Sequence, residues 1–245
     1  MLSENTNTFT KENLNQYLNA LGKEYRKLNG KEIPAEIILV GGAAIIANYG
    51  FRDMTTDIDA FIQAASSMKD AINHVGDQYG LPNGWMNADF CYTASYTDKL
   101  SECSEHYRTF ANVLDVRTVG AEYLIAMKLR SGRQYKNDMS DIVGILSEHE
   151  MHEMPITLER IRSAVIRMYG SWDVLPEISK TFIEDVMASK NYAAIYAQTV
   201  ANEKESKETL IRFEEDYPGA TTKDNVNDIL KALRKRQQEK SESTD

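Results

Sequence analysis

Cysteine is scarce: the 245 residues include only Cys91 and Cys103, too few for a disulfide scaffold or a cysteine-built zinc site. Two free thiols in a reducing cytosol are the expectation. Positive charge is scarce as well, with 28 Lys and Arg against 37 Asp and Glu and a formal net charge of −9. A protein that coats nucleic acid by charge alone is excluded. The imbalance is spread along the chain: residues 1–150 carry 20 acidic and 14 basic groups (−6), residues 151–245 carry 17 and 14 (−3). Long hydrophobic runs are missing too. The longest nearly apolar one, Ile37 to Ala47, has 11 residues and contains a Gly-Gly, whereas a membrane span needs about 20. Met1 to Thr8 has neither the basic region nor the apolar stretch of a secretory leader. A soluble, cytoplasmic protein with no membrane partner is expected. No Gly-Lys-Ser/Thr of a Walker loop, no G-x-G-x-x-G fingerprint and no nucleophile elbow occurs, and neither cysteine sits in a nucleophile motif.

What is present suffices for a folded core. Hydrophobic residues make up 42%, and the 13 glycines bring the apolar share inside the globular range of about 45–50%. The length allows one large domain or a catalytic core with an appended helical region. Leu14, Leu18, Leu21, Tyr25 and Leu28 fall on one face of a helix, with Thr10 as its N-cap and Gly30 past its end. After Pro34, the β-branched run Glu36 to Val40 reads as a buried strand, and Gly41-Gly42 turns it into a short helix closed by Gly50. Asp57 to Ile62 reads as a second strand, Met68 to Tyr79 as a helix, Asp89 to Ser95 as a third strand and Phe110 to Arg117 as a fourth. Beyond Ala121 the pattern is helical: 121–131, 138–148, 157–169, 177–189, 191–213 and 225–240, punctuated by Pro155, Pro176 and Pro218-Gly219. The expected fold is α+β, a small mixed β-sheet flanked by helices and followed by a helical C-terminal region. The division placed on it is 1–150 and 151–245.

The chemistry concentrates between Val40 and Phe61. Asp57 and Asp59 stand two apart on a strand, so both carboxylates leave one face, roughly 7 Å apart. Such like charges call for a cation, and hard, oxygen-seeking Mg²⁺, which keeps waters and substrate phosphates in its other positions, suits them. Upstream, Gly41-Gly42 lies between a strand and a helix N-terminus, where bare backbone N–H groups and the helix dipole can approach an anion. A phosphate loop beside a metal-binding strand points to phosphoryl or nucleotidyl transfer.

Leu39-Val40-Gly41-Gly42-Ala43-Ala44, then Arg52, Thr55-Thr56 and Asp57-Ile58-Asp59, resembles the signature of the polymerase-β-like nucleotidyltransferase superfamily. The variant looks most like the minimal bacterial enzymes related to AbiEii-type toxins of toxin–antitoxin and abortive-infection systems. The resemblance runs on through Trp85-Met86-Asn87 and Tyr123 to Arg133, then Asp138 and Asp141-Ile142, covering about residues 36–146. It implies that Gly41 and Gly42 bind a triphosphate, that Asp57 and Asp59 bind catalytic Mg²⁺ or Mn²⁺, and that Arg52 and Thr56 support the loop or contact phosphate. It also implies a third carboxylate on a later strand, a metal ligand and activator of the attacking hydroxyl. Asp115, in Val113-Leu114-Asp115-Val116, is the best match, with Asp89 as its rival. Lys128 is implied as a phosphate contact or as charge balance for the acidic cluster; its other reading is a cation snorkelling from an apolar helix.

Asp138 and Asp141, three apart on a helix, are expected to form a structural ion pair with Lys128 or Arg133. His149 and His152 have a metal-pair spacing but no third ligand nearby, while His74 and His106 read as surface residues. Tyr192, Ile195 and Tyr196 read as core, and the basic run Lys231 to Lys240 as a helix end or a weak RNA contact. The function expected is transfer of a nucleoside monophosphate from an NTP to an acceptor hydroxyl on RNA, protein or a small molecule. A toxin role would bring a cognate antitoxin as partner. The alternative is an inactive binding or regulatory protein on the same fold.

Overall fold

A computed structural model describes residues 8–222 and 225–242; Met1 to Asn7, within the stretch searched for a leader, lie outside it. The first helix, α1 (Lys11–Asn29), starts where expected. Thr10 Oγ1 accepts from the Asn13 amide, and Asn13 Oδ1 accepts from the Thr10 amide at 2.7 Å, closing a reciprocal cap. Leu14, Leu18, Leu21 and Tyr25 are fully buried, the face that the 3.6-residue period selected.

The sheet has five strands: β1 (Ala35–Leu39), β2 (Ile58–Gln63), β3 (Met86–Asn87), β4 (Ser104–Phe110) and β5 (Leu114–Val119), ordered β3-β2-β1-β5-β4. Central β1 is antiparallel to β2 and parallel to β5, so the sheet is mixed. Helix α2 (Gly41–Asn48) follows β1 at once, and α3 (Met68–Tyr79) follows β2 and packs on α1. The α+β class expected from the sequence is the one observed.

Two strand assignments change. The segment from Asp89 is a 3-10 turn, Asp89–Tyr92, and the third strand is the short Met86–Asn87 just before it, paired with β2. The run Phe110 to Arg117 is not one strand but a hairpin corner. Ala111 and Asn112 both have positive φ, 50° and 57°, and Val113 N donates to Phe110 O, the left-handed pair that a tight hairpin uses. Strand β4 carries no apolar alternation because it is an edge strand, polar through Glu105, His106, Arg108 and Thr109.

Six helices complete the chain: α4 (Ala121–Ser131), α5 (Asp138–Met151), α6 (Leu158–Tyr169), α7 (Glu177–Ser189), α8 (Tyr192–Asp216) and α9 (Val226–Glu242). They match the periodicity to within three residues at each end. One hydrophobic cluster runs from Phe9 through the sheet and α4–α6 to Tyr192, so α6 and α7 pack onto α4 and α8 packs along α5. Among the described residues, no helix is long and apolar enough to cross a membrane.

Candidate active site

The corner between β1, α2 and β2 sets the two carboxylates against the glycine loop. The Val40 amide donates to Asp59 O at 3.0 Å, continuing the β1–β2 ladder to the point where the chain enters α2. Gly41 takes a left-handed φ of +55°, and a Cβ there would stand 3.5 Å from Asp59 Oδ2. The glycine thus opens directly onto the carboxylate. Val40, at the N-cap of α2, offers no side-chain acceptor, so the first-turn N–H groups keep their capacity to bind an anion.

Gly42 has a different reason to be glycine. A Cβ there would collide with the Thr55 side chain and lie 3.1 Å from Arg52 Nη2. Thr55 is buried, its backbone pairs with Phe9 at 2.7 and 2.9 Å, and its hydroxyl donates to Asp57 Oδ1 at 3.4 Å. The loop support expected of Thr56 therefore comes from Thr55, and Thr56 is exposed. Arg52 braces the same loop, with Nε donating to Met54 O (2.9 Å) and Nη1 to Asp141 Oδ2 (2.8 Å).

Asp57 is exposed and Asp59 half-buried. Burial, and then the Asp57 charge, push the Asp59 carboxyl above its ordinary range; Arg133 and Lys136 pull it back and Asp89 adds repulsion. Among the described residues, neither Asp57 nor Asp59 has an ion pair.

The other acidic pair is built oppositely. Asp138 and Asp141 lie buried in the first turn of α5. Lys128 Nζ donates to Asp138 Oδ1 (3.0 Å) and Asp141 Oδ2 (2.7 Å), and Arg133 donates to both Asp138 oxygens through Nε (2.8 Å) and Nη2 (3.0 Å). Burial opposes charge on Lys128, but the two carboxylates overcome it and hold its pKa high. Burial likewise opposes ionisation of Asp138, and Lys128 and Arg133 hold it well below the usual carboxylate range. The expected structural ion pair exists, as a chain from Arg133 to Arg52. It occupies the Lys128 ammonium, which is thereby the charge balance of this cluster.

The structure does not bring Asp115 to the pair. Asp115 is level with Glu36 on β1, while Ala60, next to Asp59, is level with Leu39. That offset places Asp115 about 13 Å further along the strands and one strand beyond β1. Its carboxylate meets His106 Nδ1 at 2.7 Å, so it is a charge on the edge hairpin. The neighbour of Asp59 across the β2–β3 ladder is Asn87, whose Oδ1 accepts from the Asp89 amide at 2.9 Å. Asp89, not Asp115, is the further carboxylate felt by Asp59.

Arg133, an expected partner of Asp138 and Asp141, pairs with Asp138. Two contributors carry no signal of their own in the motifs, Lys136 and Glu203, and for Lys136 the Arg-x-x-Lys spacing after Gly132 is the available one. Glu203 in α8 had none. It is buried and accepts from the Met139 (2.8 Å) and Ser140 (3.1 Å) amides at the start of α5. Burial pushes it up to about 7 despite those bonds. Tyr196 donates to Phe51 O at 3.1 Å, tying α8 to the Arg52 loop, and Ile195 and Tyr192 pack on the core. His149 contacts Tyr49 and Met154 O, and among the described residues no three His, Cys, Asp or Glu groups form a metal cluster. Of the basic run, Gln237 to Lys240 lie outside the described side chains.

A divalent cation fits the Asp57–Asp59 corner: two hard oxygen donors repel each other there, no protein cation among the described residues is bonded to them, and Gly41 carries no side chain beside Asp59. A mixed sheet whose central strand runs into an uncapped helix, with an Asp-x-Asp on the antiparallel neighbour, is a nucleotidyltransferase-like fold. The chain belongs to the family described as nucleotidyltransferase of unknown function (DUF6036), whose model matches residues 16–151. No curated protein and no solved structure matches it.

Proposed function

We propose that the protein transfers a nucleoside monophosphate from an NTP to an acceptor hydroxyl and releases pyrophosphate. The observation that carries this reading is the Asp57–Asp59 pair, without a protein cation among the described residues and with Asp59 facing Gly41 at the uncapped start of α2. Asp57 and Asp59 hold Mg²⁺ or Mn²⁺, which when bound neutralises phosphate charge and aligns the attacking and leaving oxygens. The backbone N–H groups from Gly41 and Gly42 onward receive the triphosphate. Arg52 and Thr55 keep that loop in place. The acceptor oxygen forms its bond to the α-phosphorus as the bond to the β-phosphate breaks. The hydroxyl proton passes to Asp89, two residues past Asn87 at the ladder position beside Asp59 and therefore nearer the pair in register than Asp115.

The acceptor is an RNA end, a protein or a small molecule. The likeness to AbiEii-type enzymes supports a toxin or phage-defence role in the cytoplasm with a cognate antitoxin. A net charge of −9 favours a short RNA end over a long duplex. A second reading, an inactive binding or regulatory protein, is favoured by neutral Asn87 at the ladder position beside Asp59. Incubation with each α-labelled NTP and cell extract separates them: label on RNA or protein identifies the acceptor, and loss of label in Asp57→Asn and Asp59→Asn ties it to this corner. Asp89→Ala should slow labelling about 10²–10⁴-fold, the usual contribution of a positioned base. A double Asn variant that labels as well as the wild type removes the assignment.

A further inference from the structure

The stretch 49–57, between α2 and β2, is neither helix nor strand, and its backbone pairs with Phe9 at Thr55 alone among the described residues. Side chains fix it instead, and three of its anchors stand on α5. Asp141 Oδ2 accepts from Arg52, and Glu148 Oε1 accepts from the Gly50 amide at 2.7 Å. Between them Gly144 receives the Phe51 ring, so closely that a Cβ there would stand 2.5 Å from two ring carbons. Positions 141, 144 and 148 are three and four apart, one face of the helix. The loop is docked on α5.

Helix α8 touches both halves of this dock. Tyr196 Oη donates to Phe51 O at 3.1 Å, and its ring meets the Phe51 ring edge-on with centroids 5.9 Å apart. Seven residues on, Glu203 accepts from the Met139 and Ser140 amides. Those N–H groups open α5 in buried surroundings, and Asn137 gives them no side-chain cap. They need an acceptor from outside the helix, and α8 supplies it. A helix that merely covered a core would present Leu or Ile here. Instead α8 buries Thr199, Glu203 and Ser206, and hydrogen bonds made from such a face fix one register.

We propose that Tyr196 and Glu203 are positioning residues for nucleotide transfer, holding α5 and the 49–57 loop so that Arg52 and Thr55 seat the Gly41-Gly42 turn. The inference rests on the nucleotide reading above. It gives a task to the C-terminal region, which lies beyond the stretch 36–146 that carries the resemblance. Arg52 is the link: a Cβ on Gly42 would stand 3.1 Å from its Nη2. A displacement on the order of 1 Å at such a support is enough to slow a reaction whose groups must be aligned.

The test is calorimetric titration of the full chain with each of the four NTPs in Mg²⁺, together with amide hydrogen exchange of the free protein. Tyr196→Phe keeps the ring on Phe51 and removes only the hydroxyl. It should weaken NTP binding about three- to tenfold, the range of one hydrogen bond, and quicken exchange at Gly50 and Thr55. Glu203→Ala should weaken binding as much, and Glu203→Gln, which keeps an acceptor oxygen, should bind nearly as the wild type does. In an Arg52→Ala background Glu203→Ala should cause no further loss, because the route to the loop is already cut. Ile183→Val, in the core beside α7, is the control: it lowers the melting temperature and should keep wild-type affinity. Tyr196→Phe decides the matter even if Glu203→Ala folds poorly. Wild-type affinity and loop exchange in Tyr196→Phe, or an equal loss of affinity in Ile183→Val, overturns the positioning role alone. A wild-type protein that binds no NTP in Mg²⁺ overturns the nucleotide reading and the positioning role with it.

Discussion

Two pairs of aspartates stand near each other in this molecule and are treated in opposite ways. Asp138 and Asp141, on a helix, are buried and surrounded by Lys128, Arg133 and Arg52, and Asp138 is held ionised far into acid. Asp57 and Asp59, on a strand and its approach, have no ion pair among the described residues, and Asp59 is pushed toward protonation. The first pair is neutralised inside the chain and holds two loops together. The second meets no protein cation among the described residues. Sequence spacing is nearly the same in both; what differs is whether the fold delivers cations.

The largest effect should follow from breaking the satisfied pair. Asp138→Asn leaves Lys128 and Arg133 with one buried carboxylate fewer and should cost about 3–5 kcal/mol, read as a fall in melting temperature of about 10 °C for a chain of this size. Asp59→Asn should leave the melting temperature equal or higher, because it relieves a repulsion. Equal losses from the two substitutions would erase the distinction between the pairs.

Glu203 sharpens the comparison through pH. Its native value is raised to about 7 from an ordinary 4.5, so the native state keeps a proton that the unfolded chain releases. The stability this adds is complete below about pH 4.5 and is lost as pH rises through 7, a change on the order of 3 kcal/mol. Glu203→Gln should flatten that slope in denaturant titrations between pH 5 and 8 while its amide oxygen still accepts from the start of α5. A slope that survives the substitution assigns it to another group.

Smaller effects distinguish the two glycines. Gly42→Ala should destabilise by about 1–3 kcal/mol, an overpacking cost against buried Thr55, so a Gly42 variant tests folding before it tests phosphate binding. Gly41→Ala meets only an ordinary contact with Asp59 Oδ2, and its left-handed φ should cost roughly 1–2 kcal/mol. Denaturant midpoints measure both. If Gly42→Ala is neutral, Thr55 yields and the packing argument fails.

The smallest effect belongs to Asp115. Asp115→Ala removes an exposed pair with His106 worth about 0–1 kcal/mol, and it should leave labelling from NTP unchanged. A loss of transfer comparable to that of Asp89→Ala would return Asp115 to the site against its register.

How much was legible follows from the range of each signal. Helices α1 and α4–α9 were readable because burial on one face imposes a period on the chain itself, and Leu14, Leu18, Leu21 and Tyr25 carry it. The Gly-Gly and Asp-x-Asp corner was readable because one strand, one turn and the next strand bring it together within 20 residues. The edge strand β4 was not, since a polar strand shows no apolar alternation. Asp115 looked eligible because parity along a strand gives the face of a side chain but not its level.

By itself, then, the sequence determined the α+β class, the helical C-terminal half and the meeting of Gly-Gly with Asp-x-Asp at the β1–α2 corner. Local period, turn chemistry and charge spacing are written along the chain. The tertiary structure alone decided which cations serve which carboxylates. Register sent Asp115 to the edge and Asn87 to the side of Asp59, and packing of α4 on α5 buried Lys128 between Asp138 and Asp141. The same packing set Arg133 on Asp138. Charge pairing is a matter of distance in space, and distance between residues 52 and 141 exists only once the sheet and the helices have closed on each other.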